Sequence, residues 1–128
     1  MNKFNIDNIT TEKATVDLID TQDGIKILFT GEIDVQNPEP IFLPFFTEIH
    51  DKMMENSTPI VELDFINLSF MNSGGIKTLI KWVTKMLNLP DEEKYKFKIL
   101  ANSTIAWQEA SLQMLSRLSP SFIEIDVE

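Results

Sequence analysis

Two hydrophobic periods alternate along this chain, and their alternation limits the possible folds more than any other feature of the sequence. Short runs rich in β-branched and aromatic residues, such as residues 14–20 and 60–65, are separated by longer segments in which apolar residues recur every three or four positions. The short runs are typical of strands, and the longer segments are typical of amphipathic helices. The alternation predicts the element order ββαβαβα followed by β.

The predicted helices are residues 41–55, a segment from Ser73 to about Leu87, and a segment from Ala106 to Leu118. The predicted strands are residues 14–20, 25–35, 60–65, 96–100 and 122–127, and the predicted loops include residues 69–72 and 90–94. Right-handed strand–helix–strand crossovers bury their helices against the sheet. The expected fold is therefore α/β, a mixed sheet with helices packed mainly on one side, in a single domain over residues 1–128.

Cysteine is absent from the 128 residues, which excludes a disulfide framework, a thiolate zinc site and a cysteine nucleophile. A reducing cytoplasm fits this composition. The first residues are polar and charged, and no apolar run approaches the roughly 18 residues of a membrane span. Export and membrane insertion are therefore not expected.

Acidic side chains outnumber basic ones, with 20 Asp and Glu against 11 Lys and Arg and a formal net charge of -9. Such a charge opposes binding to the phosphates of nucleic acids and to anionic lipid headgroups. Neither nucleic acid nor a membrane is therefore an expected partner. The acidity is consistent either with solubility alone or with a basic surface on a protein partner.

The most informative stretch is residues 60–80, IVELDFINLSFMNSGGIKTLI. Ser73 lies where a loop meets the second predicted helix, and two glycines follow it. Glycine leaves the backbone open to close approach, and the unpaired N–H groups of a helix N-terminus favour an anion there. A phosphate on the Ser73 hydroxyl would fit this environment. The alternative is that Ser73 serves only as an N-cap, which is the commonest role of serine before a helix.

Two strings in this order resemble the STAS domains of bacterial anti-sigma factor antagonists: GEIDV at residues 31–35 and LSFMNSGGI at residues 68–76. In that family the first string ends the second strand. The second carries Asp-Ser-Ser/Thr-Gly-Leu, whose first serine is phosphorylated by a partner kinase. The resemblance implies a STAS-like fold with Ser73 at the phosphorylated position.

The same resemblance places Gly75 at the family's glycine, Ile76 at its leucine and Asp34 at the acidic position near the site. Asn72 stands where the family has Asp, and Gly74 stands where it has Ser or Thr. Residues 72–77 are an Asn, a hydroxyl residue, two small residues, Ile and Lys. This pattern also resembles the regulatory phosphoproteins that control biofilm-linked diguanylate cyclases. Those phosphoproteins lack the GEIDV string. The expected partner-binding residues are Asp34, Asn72, Ser73, Gly74, Gly75, Ile76 and Lys77.

The resemblance implies a protein-binding switch that releases one partner when Ser73 is phosphorylated. The implied partners are a GHKL-type serine kinase that acts as the anti-sigma factor and a PP2C-type phosphatase. The alternative is an unphosphorylated STAS scaffold that holds a signalling enzyme, such as a diguanylate cyclase or a kinase, and Asn72 favours it. No catalytic or dinucleotide fingerprint occurs, so neither an enzyme nor a cofactor is expected.

The remaining candidates have ordinary structural interpretations. His50, the single histidine, is expected as a surface or half-buried structural residue. Trp107 is expected to pack in or near the core, whereas Trp82 falls off the apolar stripe of its helix. An exposed position on a binding surface therefore stays open for Trp82. The acidic clusters, including residues 91–93, are interpreted as solvated turns and not as metal sites.

Overall fold

One mixed sheet of six strands organises residues 2–128, which are the residues that the computed structural model describes. The elements are β1 (Ile9–Thr10), β2 (Ala14–Asp20), β3 (Gly24–Ile33), α1 (Glu39–Glu55), β4 (Ile60–Met71), α2 (Ser73–Leu87), β5 (Lys96–Ala101), α3 (Ala106–Leu118) and β6 (Ile123–Val127). The strands lie side by side in chain order, with β1 to β3 antiparallel and β3 to β6 parallel. The predicted α/β class and element order are confirmed, and the two-residue strand β1 precedes the predicted elements.

Aromatic contacts show that α2 and α3 cover the same face of the sheet. Trp82 of α2 meets the ring of Phe97 on β5 edge-on, with 4.9 Å between ring centroids. Trp107 of α3 meets Phe65 on β4 in the same way at 6.0 Å. Val61 pairs with Phe97 in register, and it shares one face of β4 with Phe65 because alternate residues of a strand point the same way.

No helix within residues 2–128 has the length and hydropathy to cross a membrane.

Trp82 is buried, and the exposed position left open for it from the sequence is wrong. Its side chain is 1% exposed and stacks on Phe46 of α1, with ring centroids 4.8 Å apart. The indole N–H donates a hydrogen bond to the hydroxyl of Tyr95 at 2.8 Å, so burial leaves no polar group unpaired. The physical reason is that α2 is covered by the sheet on one side and by α1 on another. Its buried stripe is therefore wider than one contact face would require.

Strand β4 continues to Met71, and the predicted loop over residues 69–72 is therefore mostly strand. Past Asp64 the strand no longer pairs with β5. Side chains from α3 and from the loop before it make the hydrogen bonds at this edge of the strand instead. Gln108 donates to the carbonyls of Phe65 and Leu68 at 2.6 and 3.0 Å. The Trp107 indole also donates to the Leu68 carbonyl, at 3.0 Å. These long-range bonds have no local sequence signal.

Two other boundaries differ from the predictions by two residues, and one predicted loop contains a short helix. Strand β3 ends at Ile33 and not at residue 35, and α1 begins at Glu39, two residues before its predicted start. Pro38 and Pro40 obscure this boundary in the sequence, because proline is accepted in the first turn of a helix. The predicted loop over residues 90–94 contains a short 3-10 helix, Asp91–Glu93.

Replacing Gln108 with Leu is expected to destabilise the fold by about 1–3 kcal/mol, because the buried carbonyl of Phe65 loses its side-chain donor and the carbonyl of Leu68 keeps only the donor from Trp107. Gln113→Leu, on the same helix but only partly buried, is the matched control and should change stability little. Urea unfolding of both variants measures the difference. Equal effects of the two substitutions would contradict the proposed role of the Gln108 amide.

Candidate functional site

The candidate site lies at the carboxyl ends of the parallel strands β3 and β4, where α2 begins. Ile33 and Met71 are partners in register at these ends, so the residues that follow them, Asp34 and Asn72, are neighbours. Ser73 comes next as the first residue of α2, and its side chain is exposed to solvent. In α/β sheets this edge is where ligands and partners commonly bind. The fold therefore brings together the two strings that were predicted to form one site.

Asn72, and not Ser73, is the N-cap of α2. Its side-chain oxygen accepts a hydrogen bond from the Gly75 N–H at 2.9 Å. Its side-chain amide donates to the carbonyl of Val35 at 2.8 Å, and its backbone N–H donates to the carbonyl of Ile33 at 3.0 Å. Asn72 therefore ties the start of α2 to the connection between β3 and α1. The capping role is already filled, so the hydroxyl of Ser73 is not needed for it.

The dual role of Asn72 gives a physical reason for Asn at the position where the resemblance to STAS domains predicts Asp. An amide can accept and donate at the same time, whereas an ionised carboxylate can only accept. Asp at this position could still cap α2 through the Gly75 N–H. It would, however, place a negative oxygen against the Val35 carbonyl, which is also an acceptor. Asn at position 72 therefore satisfies both the Gly75 N–H and the Val35 carbonyl, which Asp could not do.

Both glycines of the site lie so close to neighbouring side chains that a Cβ at either position would require a neighbour to shift. A Cβ on Gly74 would lie 2.9 Å from two ring carbons of Pro38, the buried residue before α1. A Cβ on Gly75 would lie 2.7 Å from Cγ of Met71. A hydroxyl residue at position 74, which the resemblance to STAS domains predicts, would therefore require the ring of Pro38 to move. Gly75 is itself buried, so it contributes to the site through its backbone.

The charged residues of the site lie at its rim. Lys13 donates a hydrogen bond to the carboxylate of Asp34 at 2.9 Å, and both side chains remain open to solvent. This bond and the negative charge of Asp34 raise the pKa of the Lys13 amine above its ordinary value, so this amine stays protonated near neutral pH. Lys77 is exposed one turn after Ser73 on the same helix. No group of acidic or histidine residues within residues 2–128 is arranged to hold a metal ion.

A groove of about 400 Å³ opens beside Ser73 between α2 and α3. Its lining is mainly apolar with two hydroxyl groups and one amine, from Met71, Ser73, Ile76, Lys77, Ile80, Ser111 and Met114. Met114 is 41% exposed, and Phe70 at the end of β4 is 42% exposed. Sequence reasoning missed the residues from α3, because only the tertiary packing of α3 against β4 brings them to α2. The periodicity of α3 predicted a helix but gave no sign of this neighbour.

The overall structure is similar to the crystal structure of an anti-sigma factor antagonist from Mycobacterium paratuberculosis, with a TM-score of 0.60. The two share 19% sequence identity, and the alignment covers 91% of this chain and 90% of that one. No known protein-family model matches the sequence, and no curated protein matches it. The likeness in structure confirms the STAS-like fold that the two strings implied. At this identity it establishes the fold alone.

Asn72→Asp is expected to keep the cap of α2 but to lose the hydrogen bond to Val35, with a loss of about 1–3 kcal/mol in the free energy of unfolding. Amide hydrogen exchange should become faster in residues 34–37, because the side-chain bond from Asn72 to the Val35 carbonyl is removed. Asn67→Asp, an exposed substitution on β4, serves as the control for the added charge. Unchanged stability and exchange in Asn72→Asp would show that the amide does not hold this connection.

Proposed function

We propose that this chain is a binding module of the anti-sigma factor antagonist type whose contact with a partner is controlled by phosphorylation of Ser73. The observation that carries this proposal is an exposed hydroxyl at the first position of α2, on the rim of an apolar groove. A modifying enzyme can reach such a hydroxyl, and a partner can cover the surface next to it. The other residues of the site are held by close packing at the two glycines and by the hydrogen bonds of Asn72. The site can therefore keep its shape when the charge of Ser73 changes.

The start of α2 offers a favourable environment for a phosphate. The first N–H groups of a helix have no acceptor within the helix, and they give this end a partial positive charge. The side-chain oxygen of Asn72 accepts a hydrogen bond from the Gly75 N–H. The N–H groups of Ser73 and Gly74 precede it on the same turn and take no part in this bond. Lys77 lies four residues after Ser73, a spacing that makes the two side chains neighbours on the helix surface. A phosphate on Ser73 could therefore pair with Lys77 within the chain.

A phosphate at this position would oppose a dry contact in the groove. It adds about -1.5 to -2 charges beside the apolar lining formed by Met71, Ile76 and Met114. A partner that covers this lining must also desolvate the phosphate, which is costly unless the partner provides a cation. Pairing of Lys77 with the phosphate would also withdraw that amine from the partner. The unmodified form is therefore the binding form, and the phosphorylated form is released.

The proposed partners follow from the resemblance to anti-sigma factor antagonists. A GHKL-type serine kinase would bind the groove as the anti-sigma factor and phosphorylate Ser73, and a PP2C-type phosphatase would restore the hydroxyl. The net charge of -9 favours a partner surface with basic groups and disfavours nucleic acid and anionic membranes. The chain acts in the cytoplasm in this proposal, as a regulatory protein without catalysis of its own.

A second candidate function is an unphosphorylated scaffold that holds a signalling enzyme through the same groove. The side chain of Asn72 favours it, because both polar atoms of the amide are already used within the chain. Neither atom is free to orient the Ser73 hydroxyl for phosphoryl transfer, as a carboxylate at this position could. The two candidates share the contact surface and differ in whether Ser73 is modified.

Incubation of the purified protein with ATP and an extract of its own cells, followed by intact-mass measurement, is expected to give a single added phosphate. Ser73→Ala should abolish this addition, and Ser69→Ala, which removes an exposed hydroxyl four residues away, should not. The reason is that Ser73, unlike Ser69, is exposed at the first position of a helix. A phosphate that persists in Ser73→Ala would place the modification elsewhere. Absence of any phosphate from the protein, both in this assay and as isolated from its cells, would favour the scaffold.

A further inference from the structure

Three buried rings outside the candidate site form a hydrogen-bonded chain between α1, α2 and the residue before β5. The Trp82 indole nitrogen lies 2.8 Å from the hydroxyl oxygen of Tyr95, and the same oxygen lies 2.6 Å from Nδ1 of His50. The three residues are 1%, 2% and 4% exposed, respectively. His50 is thus buried, contrary to the surface or half-buried position expected from the sequence. The proposed function does not use this cluster.

The protons of this chain can be assigned from its chemistry. The indole N–H of Trp82 can only donate, so the Tyr95 oxygen accepts from it. The hydroxyl of Tyr95 must then direct its own proton to another acceptor, and Nδ1 of His50 is the group at hydrogen-bond distance. Nδ1 can accept only when it carries no proton, so all three groups are paired when His50 is neutral with its proton on Nε2. The hydrogen-bond pattern therefore favours one protonation state and one tautomer.

Burial and neighbouring charges act in the same direction as this hydrogen-bond pattern. Burial lowers the pKa of His50, and the charge of Lys85 on α2 lowers it further, whereas Asp51 on α1 opposes the shift. Tyr95 is the titratable neighbour from the segment before β5, and burial raises the pKa of its hydroxyl so that it stays a donor. Lys85, Asp51 and Tyr95 thus act on His50 from α2, from α1 and from the residue before β5.

A proton from solvent can nevertheless reach the ring of His50. No fully buried side-chain nitrogen or oxygen within residues 2–128 lacks a hydrogen-bond partner. Nε2 of His50 makes no hydrogen bond within this part of the chain, so it must contact solvent at the remaining exposed edge of the ring. Protonation would place a second N–H against the Tyr95 oxygen, which already accepts from Trp82. The Tyr95 proton would then have no acceptor.

We propose that neutral His50 is an acid-sensitive lock that fastens α1 and α2 to the start of β5 through Tyr95 and Trp82. The lock is closed while Nδ1 accepts from Tyr95, and it opens when the ring is protonated. Because α2 also carries Ser73 at its first position, opening the lock loosens the packing of the helix that supports the candidate site. This inference stands on the buried hydrogen bonds and does not depend on phosphorylation.

The direction of the pH effect follows from proton linkage. The unfolded chain leaves His50 at its ordinary pKa of 6.5, and the folded chain lowers that pKa. Between the two values the unfolded chain binds more protons than the folded chain. The stabilisation by neutral His50 is therefore fully present above pH 6.5, and it is lost as the pH falls below that value and through the lower pKa of the folded chain.

Long-range 1H–15N NMR spectra of the uniformly labelled protein test the lock in the unaltered chain. The expected result is the Nε2–H tautomer of His50 and a titration midpoint below 6.5, accompanied by a shift of the Trp82 indole N–H signal at the same midpoint. The Nδ1–H tautomer, a midpoint at or above 6.5, or an indole signal that does not follow His50 would overturn the proposal.

Thermal melts provide a second test with a variant that cannot be protonated. His50→Asn keeps a short side chain with an acceptor oxygen, and the chain contains no other histidine. Between about pH 7.5 and about pH 5.5 the melting temperature of the parent should fall more steeply than that of the variant, because carboxylate titration is common to both. Parallel curves would contradict the lock. If the variant does not fold, the tautomer and midpoint of the parent decide the question.

Discussion

At the junction of β3, β4 and α2, one side-chain amide makes two hydrogen bonds in opposite directions. Asn72 accepts from the first turn of α2 and donates to the Val35 carbonyl beyond the end of β3. The site depends on this amide, because it fixes the start of the helix against the connection that carries Asp34. The packing of Pro38 against Gly74 closes the same junction from the side of α1. Ser73 is left as the one hydroxyl at this end of α2 that has no structural task in the cap.

The sequence predicted most of the fold, because the hydrophobic periods reflect burial on one face of each element. The segments from Ile60 and Ser73 onward have strong periods and begin where predicted. The failures concern contacts between elements. Trp82 falls outside the apolar stripe of α2, and an exposed position was left open for it. A stripe that describes one contact face cannot predict that α1 also covers the helix. The last residues of β4 were predicted as a loop. The hydrogen bond at their edge comes from Gln108, which lies 40 residues from Leu68 in the sequence, so no local pattern indicates it.

The candidate site was predictable in position but not in detail. The strings around Asp34 and Ser73 resembled a known family, and the parallel pairing of β3 with β4 brings them to one edge of the sheet. The groove could not be predicted, because Met114 reaches it from α3 only through packing. The reasons for Asn72 and Gly74 could not be predicted either. Each depends on one neighbouring atom or ring, the Val35 carbonyl and Pro38, whose position is set by the folded chain.

The central claim is that a phosphate on Ser73 decides whether the partner is bound, and the phosphate content of the bound and free protein tests it most directly. The tagged protein would be isolated from its own cells, separated into free and partner-bound pools, and analysed for phosphate on the peptide that contains Ser73. The account predicts phosphate in the free pool and an unmodified serine in the bound pool, with Ser73→Ala collected in the bound pool. Equal phosphate occupancy in the two pools would contradict the switch.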